Sequence, residues 1–440
     1  MGKNIDINVN HITRVEGHGN IVVNVSDGTI EKCEWQVPEA PRFFESMIRG
    51  RHYSEVARIT SRICGICSIG HTLASCKATE DALGIELTEQ SWKLRRILKH
   101  AETFDSHVVH LLFLVAPDLL GVKSVFPLLP THPETVKQAL RLKNFGHVVG
   151  SLLAGRTTHP TRPVPGGFSS YPTLDEVKAA RERLENEVVK DWDAIVQTLA
   201  SVAGQIPTFD RPTEYMALHD SVEYGLYDGC IQTVMPDGSK QQWPLDDYLS
   251  VTNEFVVPTS TAKHTRNKLP SYMAGALARF NNNYDQLRPE AKAIAQTLGL
   301  QPQCHNPYMN NVAQVVEIVH SLHTVKEGLD DLIANGIEDQ PLAKPTRFDS
   351  EGFGAVEVPR GILFHNYQYD KEGFCTGGNC IIPTNQNHGN IQFDFDKLVP
   401  EMLNKDMTQD EMRLHLEMLV RAYDPCISCS THYLDVEFKE

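Results

Sequence analysis

Two short segments near opposite ends of the chain constrain its fold most: "SRICGICSIGH" at residues 61–71 and "AYDPCISCSTH" at residues 422–432. Each holds a C-x-x-C pair followed by a histidine, with Cys64, Cys67 and His71 in the first and Cys426, Cys429 and His432 in the second. Nearly the whole 440-residue chain separates the pairs, so only tertiary folding can unite them. The other cysteines (Cys33, Cys76, Cys230, Cys304, Cys375 and Cys380) show no such grouping and read as small hydrophobes. The opening "MGKNIDINVN" lacks the basic and apolar regions of a secretory signal. In that context C-x-x-C reads as a metal or redox site before it reads as a disulfide.

Four sulfurs brought together admit three readings. A structural zinc takes four thiolates tetrahedrally, but such sites space their pairs closely and staple chains too small to build a core. A chain of this length, 41% hydrophobic, has no such need. The pairs could also be unrelated. The third reading is a soft, redox-active centre, because thiolate sulfur can bridge two metals, which suits nickel and iron better than hard cations. The spacing of three lets one sulfur of each pair bind a single metal while the other bridges. Gly65 is expected to allow a close backbone approach.

Between the pairs the pattern predicts an α+β fold, mainly α. A central bundle of long helices carries small antiparallel β sections at the N-terminus, in an insertion and before the C-terminus. Apolar stripes at intervals of three or four define the bundle: Ile97, Ala101, Phe104, Val108, Leu111 and Val115; Leu184, Val188, Trp192, Ile195, Leu199 and Val202; and Val312, Val315, Val319 and Leu322. The first 37 residues alternate as strands, with Asp27-Gly28 at a hairpin turn. Pro41 reads as a helix start and Ser54 as a helix cap. Residues 213–257 read as a β-rich insertion with a turn at "MPDGSK". Residues 345–392, including "IIPTNQN", read as strands and loops, and 396–423 as helix. With no repeat or flexible linker, residues 1–440 read as one domain. No apolar run approaches the roughly 18 residues of a membrane span. A net charge of −15 argues against nucleic acid or anionic lipid as the main partner, and its even spread reads as solubility.

"RICGIC" together with "DPCISC" and its following histidine resembles the two signature motifs of the large subunit of nickel–iron hydrogenases. "HITRVEGHG" (11–19), "APRFFE" (40–45), "HPTRPVPGGF" (159–168), "VPRG" (358–361) and "IIPTNQN" (381–387) stand in that family's order, so the resemblance spans essentially the whole chain. It implies that all four cysteines bind nickel. Cys67 and Cys429 would bridge to an iron carrying carbon monoxide and cyanide, and Cys64 and Cys426 would be terminal. His71 would hydrogen-bond the bridging sulfur. Arg360 would lie above the metals with Asp118 and Asp424 as nearby acids, Thr384 would bond a cyanide nitrogen, and Pro359 and Leu363 would line the iron side. Glu16 would relay protons from Cys426. Glu45, the backbone carbonyl of Cys380 and the ring of His432 would hold magnesium or another divalent cation. Read without the family, Asp118 and Asp424 are turn or helix-end residues, His71 is a core residue and Glu16 is an exposed strand carboxylate.

The resemblance further implies the catalytic subunit of an enzyme that reversibly splits dihydrogen heterolytically. Electrons would pass to an iron–sulfur small subunit, since no further C-x-x-C site exists here for clusters. The motifs and length most resemble the cytoplasmic, multimeric members, whose further electron-transfer subunits are linked to flavin, NAD(P), a deazaflavin or a heterodisulfide reductase. Nickel-insertion factors and a maturation protease would act on the precursor, removing residues 433–440 after His432. Two alternatives share the fold. A dihydrogen sensor keeps the cysteines and typically lacks the tail, and a non-catalytic electron-transfer relative lacks the cysteines.

Overall fold

The computed structural model describes residues 4–431. His432 and residues 433–440, expected to supply a cation ligand and a cleaved tail, lie outside the described residues. Alternation in β1 and β2 builds the first sheet, the antiparallel order β1 (Ile5–Val9), β2 (Asn20–Ser26), β3 (Thr29–Gln36). Asp27 and Gly28 join β2 to β3 with φ of 51° and 81°, the turn whose twist matches that of the strands it connects. Ile7, Ile21, Val23 and Trp35 form the buried face.

The central helices are α1 (Ser68–Leu83), α2 (Glu89–Val109), α3 (Pro133–Ala154), α4 (Val189–Val202) and α5 (Asn310–Asn335), and the three apolar stripes fall on α2, α4 and α5 with their flanking turns. Thr88 starts α2 by accepting the Ser91 amide at 3.2 Å. Ile97, Ala101, Phe104 and Val108 are buried, as are Val312, Val315, Val319 and Leu322 of α5, which packs on α2. α3 packs on α2, and α4 on α3. Leu111 and Val115 extend the first stripe past the end of α2 in a π turn, His110–Val115. A second π turn, Leu184–Val188, precedes α4, so the second stripe runs along a helix with an irregular middle.

Three local expectations are corrected. Pro41 precedes the short helix Phe44–Ile48 rather than opening it. Ser54 lies inside the helix Tyr53–Thr60, and its hydroxyl meets His52 Nδ1 at 2.9 Å instead of capping. "IIPTNQN" is half helix, because Pro383 occupies the first position of α6 (Pro383–Asn404), where its missing N–H costs nothing. α7 (Gln409–Ala422) opens on a capping box between Thr408 and Glu411 and leads to the second cysteine pair.

Residues 213–257 contribute β4 (Glu214–His219), β5 (Cys230–Val234) and β6 (Lys240–Trp243), and β7 (Tyr272–Met273) joins β4 in parallel from outside that span. A last antiparallel sheet comprises β8 (Ser350–Val358), β9 (Gly361–Tyr369) and β10 (Cys375–Ile381). The two sheets share one buried cluster that includes Met216, Leu218, Ile231, Ala355, Ile362 and Phe364, so the β-rich region is welded to the body. Val358 pairs with Gly361, which leaves Pro359 and Arg360 as the two loop residues of the β8–β9 hairpin. Among the described residues no helix is long and apolar enough to cross a membrane.

Candidate metal centre

A change of backbone conformation sets the first cysteine pair. The 3₁₀ turn Ser61–Ile63 ends at Cys64, which is extended, and Cys67 begins α1 as its N-cap. The loop curls round its own sulfur, for Cys64 Sγ accepts the amides of Ile66 at 3.2 Å and Cys67 at 3.1 Å. Glu102 closes the first turn of α1 by accepting the Gly70 amide at 2.8 Å, and its other oxygen is bonded by the buried Lys99. At the second pair, Asp424 takes φ 51° after α7 and Cys426 opens the short helix Ile427–Ser430. The Cys426 amide donates to Thr384 Oγ1 at 3.1 Å.

The two ends of the chain meet. Cys64 Sγ lies 3.5 Å from Cys426 Sγ, and Cys426 Sγ lies 2.6 Å from Cys429 Sγ. The sulfurs of Cys64, Cys67 and Cys429 all lie within 4.8 Å of one another. All four cysteines are free thiols and no more than 2% exposed. Arg42 clasps the two motifs, its Nη2 donating to the Ile63 carbonyl at 2.6 Å and the Ser428 carbonyl at 2.5 Å. Gly17 brings the N-terminal strand segment alongside: a Cβ there would stand 2.7 Å from both Ile427 Cβ and Ser428 N. Gly65 is not needed for a close approach, since nothing lies within 4 Å of where its Cβ would be.

Crowding splits the four thiols. Burial opposes ionisation of Cys64, but hydrogen bonds from Cys426, Cys429 and Cys67 outweigh it and hold that thiol well below its ordinary value. Cys426 is pushed well up by its bonds to Cys429, Cys64 and Cys67, and Cys429 is pushed up chiefly by burial. A soft cation that binds all four as thiolates displaces the protons that crowding and burial otherwise hold on them.

Arg360 stands over this cluster. Burial disfavours its charge, yet Asp424 and the sulfurs of Cys426, Cys67 and Cys64 raise its pKa above the usual arginine value. Its Nε donates to the Asp424 carbonyl at 2.5 Å and its Nη2 to Asp424 Oδ1 at 2.8 Å. Nη1 is buried with no partner among the described residues. The hairpin loop presenting it is pinned by Arg279, which donates to the carbonyls of Val358 and Pro359 at 2.9 Å each. Asp118 bonds a different guanidinium: it binds Arg421 Nη1 at 2.9 and 3.0 Å and also Arg14.

The remaining expected residues are distributed as follows. Glu16 is half-buried, with its carboxylate within 4.8 Å of the sulfurs of Cys426 and Cys429, and it accepts the Ser428 amide at 3.1 Å and the Ser428 hydroxyl. Its backbone pairs with the second motif, the Ile427 amide donating to the Glu16 carbonyl at 3.0 Å. His71 Nδ1 meets His365 Nε2 at 3.1 Å, and the charge of His71 acts on Cys64. Pro359 and Leu363 are buried beside Arg360. Cys380 is pushed well up by burial and then by the carboxylate of Glu45, so those two expected neighbours are close. Sequence reasoning missed Arg42, Arg279 and His365. Arg42 stands in a quoted motif, whereas no local signal marks the other two.

The four buried sulfurs fit a soft, thiophilic metal, and beside them Arg360 Nη1 has no acceptor among the described residues while Thr384 Oγ1 accepts the Cys426 amide. Fold and site together define a thiolate metalloprotein of the mainly helical α+β class. The model for nickel-dependent hydrogenases matches residues 42–140 and 212–432, and a HoxL-like model matches residues 6–40. The chain belongs to the nickel-dependent hydrogenase family, as a large subunit.

Among its relatives is sulfhydrogenase 2 subunit alpha of Pyrococcus furiosus, 31% identical over 97% of this chain and 99% of that protein. The NAD-reducing hydrogenase HoxS subunit beta of Cupriavidus necator is 28% identical over 97% of this chain and 94% of that one. A crystal structure of an NAD⁺-reducing [NiFe]-hydrogenase in the H₂-reduced state superposes with a TM-score of 0.88 at 28% identity, covering 97% of this chain and 99% of that chain.

Proposed function

We propose that the chain is the catalytic subunit of a hydrogenase that reversibly splits dihydrogen into protons and electrons. The convergence of four sulfurs beside Arg360, whose Nη1 has no partner among the described residues, carries this reading. Cys64, Cys67, Cys426 and Cys429 would hold nickel, with Cys67 and Cys429 shared with an iron bearing carbon monoxide and cyanide. The bound metal pair supplies the Lewis acidity that makes dihydrogen a usable acid. The protein's own residues do the rest. Arg360, kept charged by Asp424, directs an N–H into the site and stabilises negative charge that develops there. Thr384 offers its hydroxyl hydrogen to a cyanide nitrogen, and buried Pro359 and Leu363 exclude water on that side. His71, oriented by His365, acts on the sulfurs from behind.

Glu16 takes the proton from Cys426 Sγ and passes it outward, with the Ser428 hydroxyl and amide holding its carboxylate in place. Glu45 and the Cys380 carbonyl, with His432, would bind magnesium. Electrons leave to an iron–sulfur small subunit and on to further subunits. The kinship with a NAD-reducing hydrogenase subunit supports a nicotinamide acceptor, and a cytoplasmic complex is part of the same proposal. Residues 433–440 would be removed once nickel is in place.

Metal analysis of the purified complex tests the reading, with nickel and iron expected in place of zinc. Replacing Glu16 by Gln should retain the metals and abolish hydrogen isotope exchange. Zinc alone would end the hydrogenase reading, and undiminished exchange would end the relay assignment.

A further inference from the structure

α6 carries three polar residues four apart, Thr384, His388 and Gln392, and so on one face. Each is a rung to another part of the chain. Thr384 accepts the Cys426 amide at 3.1 Å. Gln392 joins β3, its Oε1 accepting the Trp35 amide at 2.8 Å and its Nε2 donating to the Cys33 carbonyl at 2.9 Å. His388 stands between them and reaches both sides. Its Nδ1 lies 3.0 Å from the indole Nε1 of Trp35, and its Nε2 lies 3.0 Å from Ser430 Oγ. Ser430 follows Cys429 and stands four residues after Cys426, so the spacing on α6 matches the spacing on the second motif.

The chemistry of the partners places every hydrogen in this chain. An indole only donates, so His388 Nδ1 accepts and carries no hydrogen. The ring hydrogen then sits on Nε2 and is donated to Ser430 Oγ. The Ser430 hydroxyl in turn donates to the Ile427 carbonyl at 2.7 Å, within the short helix Ile427–Ser430. Turning the ring over would set carbons against both partners. Trp35 and His388 are fully buried and Ser430 is 5% exposed, so little water competes. Burial, and then the charge of His264, hold the imidazole pKa well below its ordinary value, in keeping with a neutral ring.

We propose that His388 is a positioning residue for Cys429: through Ser430 it holds the short helix carrying that cysteine against α6, while Trp35 fixes which nitrogen of the imidazole donates. Thr384 and His388 thus grip residues 426 and 430, the two ends of the second C-x-x-C segment. The chain of bonds ends on β3, so the N-terminal sheet takes part in setting the second cysteine pair. The effect on a bound iron rests on the function proposed above, whereas the clamp on Ser430 does not.

Two variants separate the ends of the imidazole. In His388→Gln the amide nitrogen reaches as far as Nε2 and can still donate to Ser430. In His388→Asn the amide oxygen sits near the place of Nδ1 and can still accept from Trp35, but nothing reaches Ser430. Amide hydrogen exchange over residues 427–431, followed by mass spectrometry of the intact complex, should stay near the native rate in the Gln variant. In the Asn variant it should run roughly five- to tenfold faster, the scale of one net hydrogen bond. Equal exchange in the two variants overturns the clamp, whatever the metals do. The infrared carbon monoxide band of the iron should shift in the Asn variant and stay near its native position in the Gln variant. Faster exchange in the Asn variant with an unmoved band overturns the role in placing Cys429. Ser430→Ala should reproduce the Asn effect on exchange and add nothing when combined with it; additive effects overturn the proposal. A native complex without such a band would overturn the iron assignment instead, and the exchange rates would still decide the clamp.

Discussion

Gly70 lies against Val358 so closely that a Cβ on the glycine would stand 2.2 Å from a valine methyl carbon. This contact seats the helix that begins at Cys67 on the hairpin that presents Arg360, fixing the height of the guanidinium over the sulfurs. Gly70→Ala gains roughly 1 kcal/mol of helix propensity but overpacks a fully buried seam at a cost of about 1–3 kcal/mol. The expected result is a lower unfolding midpoint and reduced turnover with metals still bound. A variant as stable and active as the native protein would mean that the seam yields freely.

Arg42 joins the two cysteine motifs by one nitrogen atom shared between the Ile63 and Ser428 carbonyls. A leucine would leave these carbonyls only their long contacts, with Cys429 Sγ at 3.6 Å and Thr431 Oγ1 at 3.3 Å, and a hydrogen bond from a charged donor is worth about 1.5–3 kcal/mol. Arg42→Leu should therefore lower the nickel content of the purified protein, because the two halves of the donor set lose their tie. Arg413→Leu, an exposed control, should not. Equal nickel in both variants would show that the sulfurs hold the ends together unaided.

Arg279 pins the Arg360 loop, but it is itself a buried cation, bonded twice by Glu317 and once by Glu357. Arg279→Met strands those carboxylates, and breaking a buried pair from one side costs about 3–5 kcal/mol. The double variant Arg279→Met with Glu317→Gln should recover part of the stability, yet not the activity, since the Val358 and Pro359 carbonyls stay unpinned. Recovery of both by the double variant would remove the positioning role.

The sequence-visible part of this site is the part built from contiguous motifs. The paired cysteines, Glu16, Arg360 and Thr384 stand in short runs whose spacing reflects one turn or one loop, and the structure gathers them within a few ångströms of one another or of a common partner. The residues that hold the runs together were silent, because Arg42, Arg279 and His365 act across the fold on carbonyls and rings that no local pattern reports. The same holds for glycine. Gly65 sits between cysteines, but Gly17 and Gly70 carry the close approaches, and only their tertiary neighbours reveal it. The helical stripes were legible as burial, but the π turns within them were not.

Glu357 gives the protein a pH dependence of defined sign. Burial pushes its carboxyl up from 4.5 to about 7, because Arg279 is engaged twice by Glu317 and gives Glu357 a single N–H. The folded state therefore binds this proton more tightly than the unfolded chain does. Between 4.5 and about 7 the unfolded chain has released the proton and the folded protein has not, so stability falls as pH rises through that window. At about 1.4 kcal/mol per pH unit, the loss approaches roughly 3 kcal/mol. Glu357→Gln cannot titrate, so it should show a constant offset from the loss of its charge and no slope from this position. Denaturant unfolding of both proteins across the window checks this. The native protein should lose stability relative to the variant as pH rises, and parallel curves would mean that Glu357 is ionised in the folded state throughout.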